Sequence, residues 1–415
     1  MKPRTAILAL LCLAASWNYA LTLASIPAFW FKPGMINNFY PVWNASRSVL
    51  HHIDPYSPEV TEQNEIAAYG ATAKVVGTPV RQRFAYPVFA TFPVLPLGLL
   101  DSGTAKRVAL CWFAALLALS VGWLRAKWDG RTALYTVLTF ASYPTIFALQ
   151  ECHPTLLFFG LAVCAFALLR SERLVLAGMV AALATGKPHV ALPILLPMLI
   201  WTLAKWHARK RFAISLIVCS VVLLGVASIL VPGWMPEWFA ALHAYYQYIY
   251  PSFIVLCFGQ KFGLVVSVGL LVGLTAVLWS HRERDLLFQA AICAPVIYMI
   301  TPYVNYNAIL LLIPAVWIAD NARFIKNSGA ISQVALALVQ VAFAGFWLAS
   351  PVGALLLHTT PFGKRMAWTL TGIMVSPLLA SIAAVMAVQC FTVHPPSKTT
   401  LTVAPESPLI HTRCI

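Results

Sequence analysis

Twelve runs of apolar residues constrain this chain more than any other feature. They lie at 5–27, 108–124, 132–149, 154–169, 174–186, 190–204, 212–231, 262–279, 286–300, 307–319, 331–349 and 367–390. Each is long enough to bury a helix, and most approach the ~20 residues that cross a bilayer. Only 10% of the 415 residues are charged and 60% are apolar, whereas a soluble domain carries about 25% charged residues. The expectation is an all-α polytopic membrane protein with about twelve transmembrane helices. One integral membrane domain covers 1–390, and a Pro- and Thr-rich cytoplasmic tail at 391–415 is expected to be disordered. The first run, after Met1-Lys2-Pro3-Arg4, reads as a retained span because it is long for a signal sequence and has no clear cleavage site.

Orientation follows from the basic residues. With the N-terminus cytoplasmic, seventeen of the 28 Lys and Arg fall in inner segments, among them Arg125, Lys127, Arg131, Arg170, Arg173, Lys205 and Arg209. The short outer loops keep Lys187, Lys261, Lys364 and Arg365, the asymmetry of an inside-positive topology. A thirteenth apolar stretch, 84–100, contains Pro87, Pro93 and Pro96. Letting it cross would reverse every later loop, so it is expected to be re-entrant or to lie on the outer face. Scattering of the basic residues between apolar runs argues against nucleic acid as a partner. The nine cysteines show no CxxC spacing, so neither a metal site nor a disulfide framework is expected, and no cofactor.

The outer side gathers the unusual sequence. A first outer loop spans 28–107 and opens with INNFYPVWNASRSVLHHIDPYSP at 36–58; a polar helix is expected at 58–70. A second outer loop at 233–261 holds Trp234, Trp238, Phe239, Tyr245, Tyr246, Tyr248 and Tyr250. That density of rings suits a helix lying in the headgroup region, although the same rings could stack on a sugar. None of the thirteen acids lies in the middle of a span, which argues against an ion-coupled pump. Lys187, ahead of Pro188 and His189, could meet a lipid phosphate or merely snorkel. Glu151 and His153 in QECHP, and Tyr303, Asn305 and Tyr306 in TPYVNYN, read as turn or interfacial residues rather than ligands.

Three motifs carry a resemblance: DPYSPE at 54–59, QRFAYPVF at 82–89 and LAGMVAALATGKP at 176–188. In order and spacing they are similar to glycosyltransferase family 87, polytopic enzymes of the C-type superfamily. The resemblance implies a C-type fold and a polyprenyl-phosphate-sugar donor. It also implies transfer of a hexose, mannose-like as the commonest case, to a lipid or glycan acceptor at the outer face of a cell membrane. A bacterial inner membrane is the expected compartment. An acid early in the first loop takes the acceptor proton, and a cation holds the leaving phosphate. Lys187 matches the family's Lys-Pro-Gln lysine, with His189 in place of Gln. At the base position, before Phe39-Tyr40, this chain has Asn38 where Asp is usual. Three outcomes stay open: Asp54 substitutes, the reaction runs without a base, or the protein binds lipid-linked sugar without catalysis. Asp54 is also a good turn initiator. Tyr40, Arg47 and Arg83 are expected substrate contacts. A facilitator for lipid or solute is the reading from another class.

Overall fold

The computed structural model describes residues 38–78, 80–246, 251–302, 304–357 and 378–390. The expected first span and the C-terminal tail lie outside the described residues. Within them regular structure is helical, apart from one isolated bridge between Ser252 and Pro302.

The first outer segment folds before any long helix begins. Helix α1 (Tyr40–Leu50) buries Val42, Ala45 and Val49 along one face, and Trp43 Nε1 donates to the Leu97 and Leu100 carbonyls at 3.0 and 3.2 Å. Helix α2 (Pro58–Tyr69) has punctuation at both ends. The Ser57 hydroxyl accepts from the Val60 amide, Pro58 opens the helix, and Gly70 closes it at φ 80°. Such a left-handed closing residue is what glycine permits without strain. Asn44 ties α1 to α2 by donating to Asn64 Oδ1 at 3.0 Å. Buried Glu65 holds the following chain by accepting from the Ala73 amide and Arg81 Nε.

The proline-bearing stretch forms a 3-10 helix, Val88–Leu99, with Pro93 and Pro96 inside it. Proline removes the donors an α-helix needs, and the tighter coil results. At ~2.0 Å per residue it covers about 24 Å, less than a bilayer core of ~30 Å. It packs on α1 so closely that a Cβ at Gly98 would sit 3.0 Å from the Arg47 amide nitrogen.

Three described helices are long and apolar enough to cross a membrane alone: α3 (Ser102–Arg125), then, further along, Trp206–Leu230 and Gln260–Ser280. Between the first two lie α4 (Gly130–Phe140), α5 (Tyr143–Gln150), α6 (Thr155–Arg170), α7 (Leu174–Ala184) and α8 (Pro188–Ala204), so Trp206–Leu230 is α9. Helices α10 (Trp234–Tyr246) and α11 (Phe253–Phe258) precede Gln260–Ser280, which is α12. Beyond it come α13 (Leu286–Ile300), a 3-10 turn at Asn305–Leu311, α14 (Leu312–Asp320), α15 (Ala322–Asn327) and α16 (Ala330–Leu357). The last described helix is α17 (Leu378–Cys390).

The 132–149 run, expected as one span, is two helices: Gly130–Phe140 and Pro144–Gln150 meet at 64°. The break falls at Ser142, just before Pro144. Counted as one span, this pair makes four; shorter apolar helices such as α6, α7, α8 and α13 have 10–17 residues.

Burial supports the membrane assignment. Helix α9 exposes Ile214, Ile217, Val218, Val221 and Val222, and α12 exposes Leu264, Val265, Val268 and Val272. In water such rows would be a large unfavourable surface; in lipid they are the solvated face. Helix α6 is the reverse case. Leu156, Phe158, Phe159, Val163 and Phe166 are all 0% exposed, so it is the central post, hydrophobic all round. It packs on α3 and α7, and α7 on α9. There Gly178 brings the backbones together, since a Cβ would strike Phe212 O at 2.6 Å. At the end of the bundle opposite Glu151 and Lys187, the buried Arg125 guanidinium pairs with Asp320 at 3.0 Å and with Asp129.

Candidate functional site

Two sharp turns and the start of α1 meet beside the head of α6. The turn between α5 and α6 carries Glu151, Cys152, His153 and Pro154; the turn between α7 and α8 carries Gly186 and Lys187. Both join apolar helices too closely spaced for a loop. Their polar residues are therefore forced into the same narrow space. Cys152 adopts φ 47° to reverse the chain.

Gly186 explains how the second turn gets close enough. A Cβ there would lie 2.9 Å from Phe158 Cζ and 3.1 Å from Ala90 Cα, so only glycine fits. The next residue, Lys187, is 5% exposed. Its ammonium donates to Thr155 Oγ1 at 2.5 Å and lies 4.9 Å from the centre of the Tyr306 ring and 5.8 Å from that of Tyr86. Such distances are cation–π range. Burial pulls the Lys187 pKa down from its usual value, and the Glu151 charge opposes that shift. Helices α6 and α8 both begin here, and helix starts favour negative charge.

The rest of the cluster closes around this cation. His153 stacks on Tyr306 with ring centres 3.6 Å apart, and its Nδ1 accepts the Thr155 amide at 3.1 Å. Burial lowers its pKa, and Lys187 and His189 lower it further. The ring is therefore neutral. Phe147 stacks on Tyr306 with ring centres 6.4 Å apart. Tyr245 from α10 shares a side-chain hydrogen bond with Tyr306. Tyr86 stacks on Phe158, and its carbonyl accepts from the Tyr56 hydroxyl at 2.6 Å.

Asn38 enters from the turn just before α1. Its amide nitrogen donates to Glu151 Oε2, and its backbone N–H donates to the Glu151 carbonyl at 3.1 Å. Burial pushes the Glu151 carboxyl above the usual carboxylate range, against the Asn38 hydrogen bond and the Lys187 charge, which both pull it down.

The structure thus brings together Asn38 and Lys187 of the residues picked from sequence. His189, on the first turn of α8, is half-buried beside them. Tyr40 is half-buried against Trp43 at 5.2 Å. Arg47 is exposed over the Trp43 ring, and Arg83 is exposed. Asp54 is exposed as well, with its carboxylate accepting the Tyr56 amide at 2.9 Å. Its hydrogen bonds stay within its own turn. In the sequence Glu151, His153 and Tyr306 read as turn or interfacial residues, Tyr86 only as part of the QRFAYPVF motif, and Thr155 only as part of an apolar run. The signal that could have found them is a lone acid and histidine between two apolar runs, QECHP, opposite TGKPH. Tyr303 lies outside the described residues. No group of three or more His, Cys, Asp or Glu among the described residues is arranged to hold a metal ion.

Fold and site together define an integral membrane protein, all-helical, with a buried lysine and a buried acid among tyrosines at one end of its bundle. More particularly, the model of glycosyltransferase family 87 matches residues 84–351, and the chain belongs to that family. The match takes in Glu151, Lys187 and Tyr306 and begins after Asn38 and Asp54. A comparison with curated proteins gives no match. Two solved structures of ArnT from Cupriavidus metallidurans are similar to this chain, one bound to undecaprenyl phosphate and one in the apo state. Each has a TM-score of 0.42 and 15% identity over 90% of this chain and 77% of the other.

Proposed function

We propose that the protein transfers a hexose, mannose-like, from a polyprenyl-phosphate donor to a lipid or glycan hydroxyl at the outer face of a bacterial inner membrane, with its N-terminus cytoplasmic. The observation that carries this reading is Lys187, a buried ammonium at the head of two helices, walled by tyrosine rings. A phosphate brought there gains a counter-charge in a site that excludes water, where such pairing is strongest. Lys187 therefore holds the donor phosphate, with His189 beside it. Tyr86, Tyr245 and Tyr306 offer hydroxyls to the sugar. The acceptor enters past Asn38 and Tyr40, with Arg47 and Arg83 at the exposed rim. Asp54 is the substitute base that sequence alone offers. No cofactor is required, because the donor carries its own leaving group.

An apolar cavity supports a lipid-linked donor. It measures about 290 Å³ and is lined by Leu138, Pro144, Ala308, Ala315, Leu336 and Phe343, among others. Ala308, on its wall, follows Tyr306 by two residues on the same 3-10 turn. An isoprenoid chain fits its chemistry.

The experiment is sugar transfer by the purified protein in nanodiscs, with a radiolabelled polyprenyl-phosphate hexose and extracted lipid acceptors. A labelled product is the expected result. Asn38 at the position of the usual carboxylate favours one second reading, a silent binder of lipid-linked sugar, which would retain donor and form no product. A facilitator would move lipid or solute across sealed vesicles with no donor present.

A further inference from the structure

Asn38 cannot accept a proton at neutral pH, yet its amide is bonded to a group that can. We propose that Glu151 is the general base of this enzyme, aimed by Asn38. The inference rests on the transferase reading above and deepens it by assigning the residue that takes the proton.

Three observations converge. Glu151 belongs to the same cluster as Lys187, whereas the hydrogen bonds of Asp54 stay in an exposed turn. Asn38 grips Glu151 twice, by side chain to Oε2 and by backbone to backbone at 3.1 Å. One carboxylate oxygen is thereby fixed in direction while Oε1 remains to meet an acceptor hydroxyl. The base is then presented beside Asn38, the position where the family resemblance puts a carboxylate, but from the α5–α6 turn on the other side of the contact. Amide and acid have exchanged places.

The groups that face Glu151 come from every element around it. They are Asn38 just before α1, Lys187 from the α7–α8 turn, Tyr245 from α10 and Tyr306 from the 3-10 turn. Of these only Lys187 can carry charge at neutral pH against the carboxylate. Burial raises the Glu151 pKa, which moves it toward the operating pH, where a general base works best.

The acceptor oxygen forms a bond to the anomeric carbon while the bond from that carbon to the phosphate oxygen breaks. The bonding electron pair leaves on the phosphate, giving polyprenyl monophosphate held at Lys187. The hydroxyl proton passes to Glu151 Oε1 and returns to solvent when the products leave.

The test compares wild type, Glu151→Gln, Asp54→Asn and the exchanged pair Asn38→Asp/Glu151→Gln in nanodiscs, with polyprenyl-phosphate hexose as donor. Elution as a single peak on size-exclusion chromatography checks that each folds. Loss of a general base lowers the rate by about 10²–10⁴-fold, so Glu151→Gln should fall by that much and lose the acidic limb of the pH–rate profile. The exchanged pair should recover to within about tenfold of wild type, because it restores one acid and one amide at the same contact. A merely structural Glu151 would not predict recovery with an acid on α1. The assignment is overturned if Glu151→Gln keeps the wild-type rate and acidic limb. It is equally overturned if Asp54→Asn loses the limb while Glu151→Gln retains it, or if the folded exchanged pair is as inert as Glu151→Gln. Inert wild type refutes the transferase reading itself, and the base with it; an active wild type with an unaffected Glu151→Gln refutes only the base.

Discussion

Replacing Gly186 by Ala adds one methyl group at the point where the lysine-bearing turn touches the central helix. That Cβ would lie 2.9 Å from Phe158 Cζ and 3.1 Å from Ala90 Cα, whereas carbon atoms rest at about 3.5–4.0 Å. Neither neighbour can give way. Phe158 is 0% exposed and is stacked on Tyr86, and Ala90 presents backbone. The turn must therefore withdraw by roughly 0.5–1 Å, and Lys187, the next residue, withdraws with it. Overpacking of this kind costs about 1–3 kcal/mol in stability. A displacement near 1 Å at a reacting group can lower a rate by about 10²-fold. The assay is kcat/KM for transfer from polyprenyl-phosphate hexose, measured beside the thermal midpoint in the same detergent. Gly273→Ala on α12 is the control, because no atom lies within 4 Å of its added Cβ. The control should keep both quantities. If Gly186→Ala loses stability but keeps wild-type kcat/KM, the turn does not position Lys187 for the reaction.

Lys187→Met should lower kcat/KM by about 10²–10³-fold, the usual loss when one donor to a developing anion is removed. It should not lower the thermal midpoint, because burial already disfavours the charged lysine. Since that charge also pulls the Glu151 pKa down, the acidic limb of any residual activity should move to higher pH. Trp43→Phe removes the donor shared by the Leu97 and Leu100 carbonyls; a lower thermal midpoint is expected, corresponding to about 1–3 kcal/mol. Ala315→Phe partly fills the 290 Å³ cavity. It should raise KM for long-chain donors more than for short-chain ones at similar kcat, and equal effects on both would remove the isoprenoid from that cavity.

Much of the architecture is legible in the linear chain. Apolar runs such as 108–124 and 262–279 mark α3 and α12, because their helices are buried or lipid-facing on every side and so tolerate few polar residues. Ser57, Pro58 and Gly70 bound α2 as helix punctuation predicts. Prolines 93 and 96 exclude a regular α-helix over 84–100. The bend between α4 and α5 was not legible, since a single apolar run gives no sign of an angle that depends on what packs beneath it. Lys187 stands out in the sequence as a lysine at the outer edge of a span, and Asn38 as the departure from an expected carboxylate.

The pairing of Asn38 with Glu151 belongs to the tertiary structure alone. Asn38 and Glu151 are 113 positions apart, and neither the asparagine nor the acid carries a local pattern that points to the other. Hydropathy determines that a chain like this enters a bilayer, because burial of apolar surface is additive along the sequence. What a polar turn does is not additive. It depends on which other turn the packing of α6, α7 and α8 sets beside it. Gly186 and the helix heads decide that Lys187, Tyr306 and Glu151 share one buried space. Asp54, the acid that stood out in the sequence, is used by its own turn.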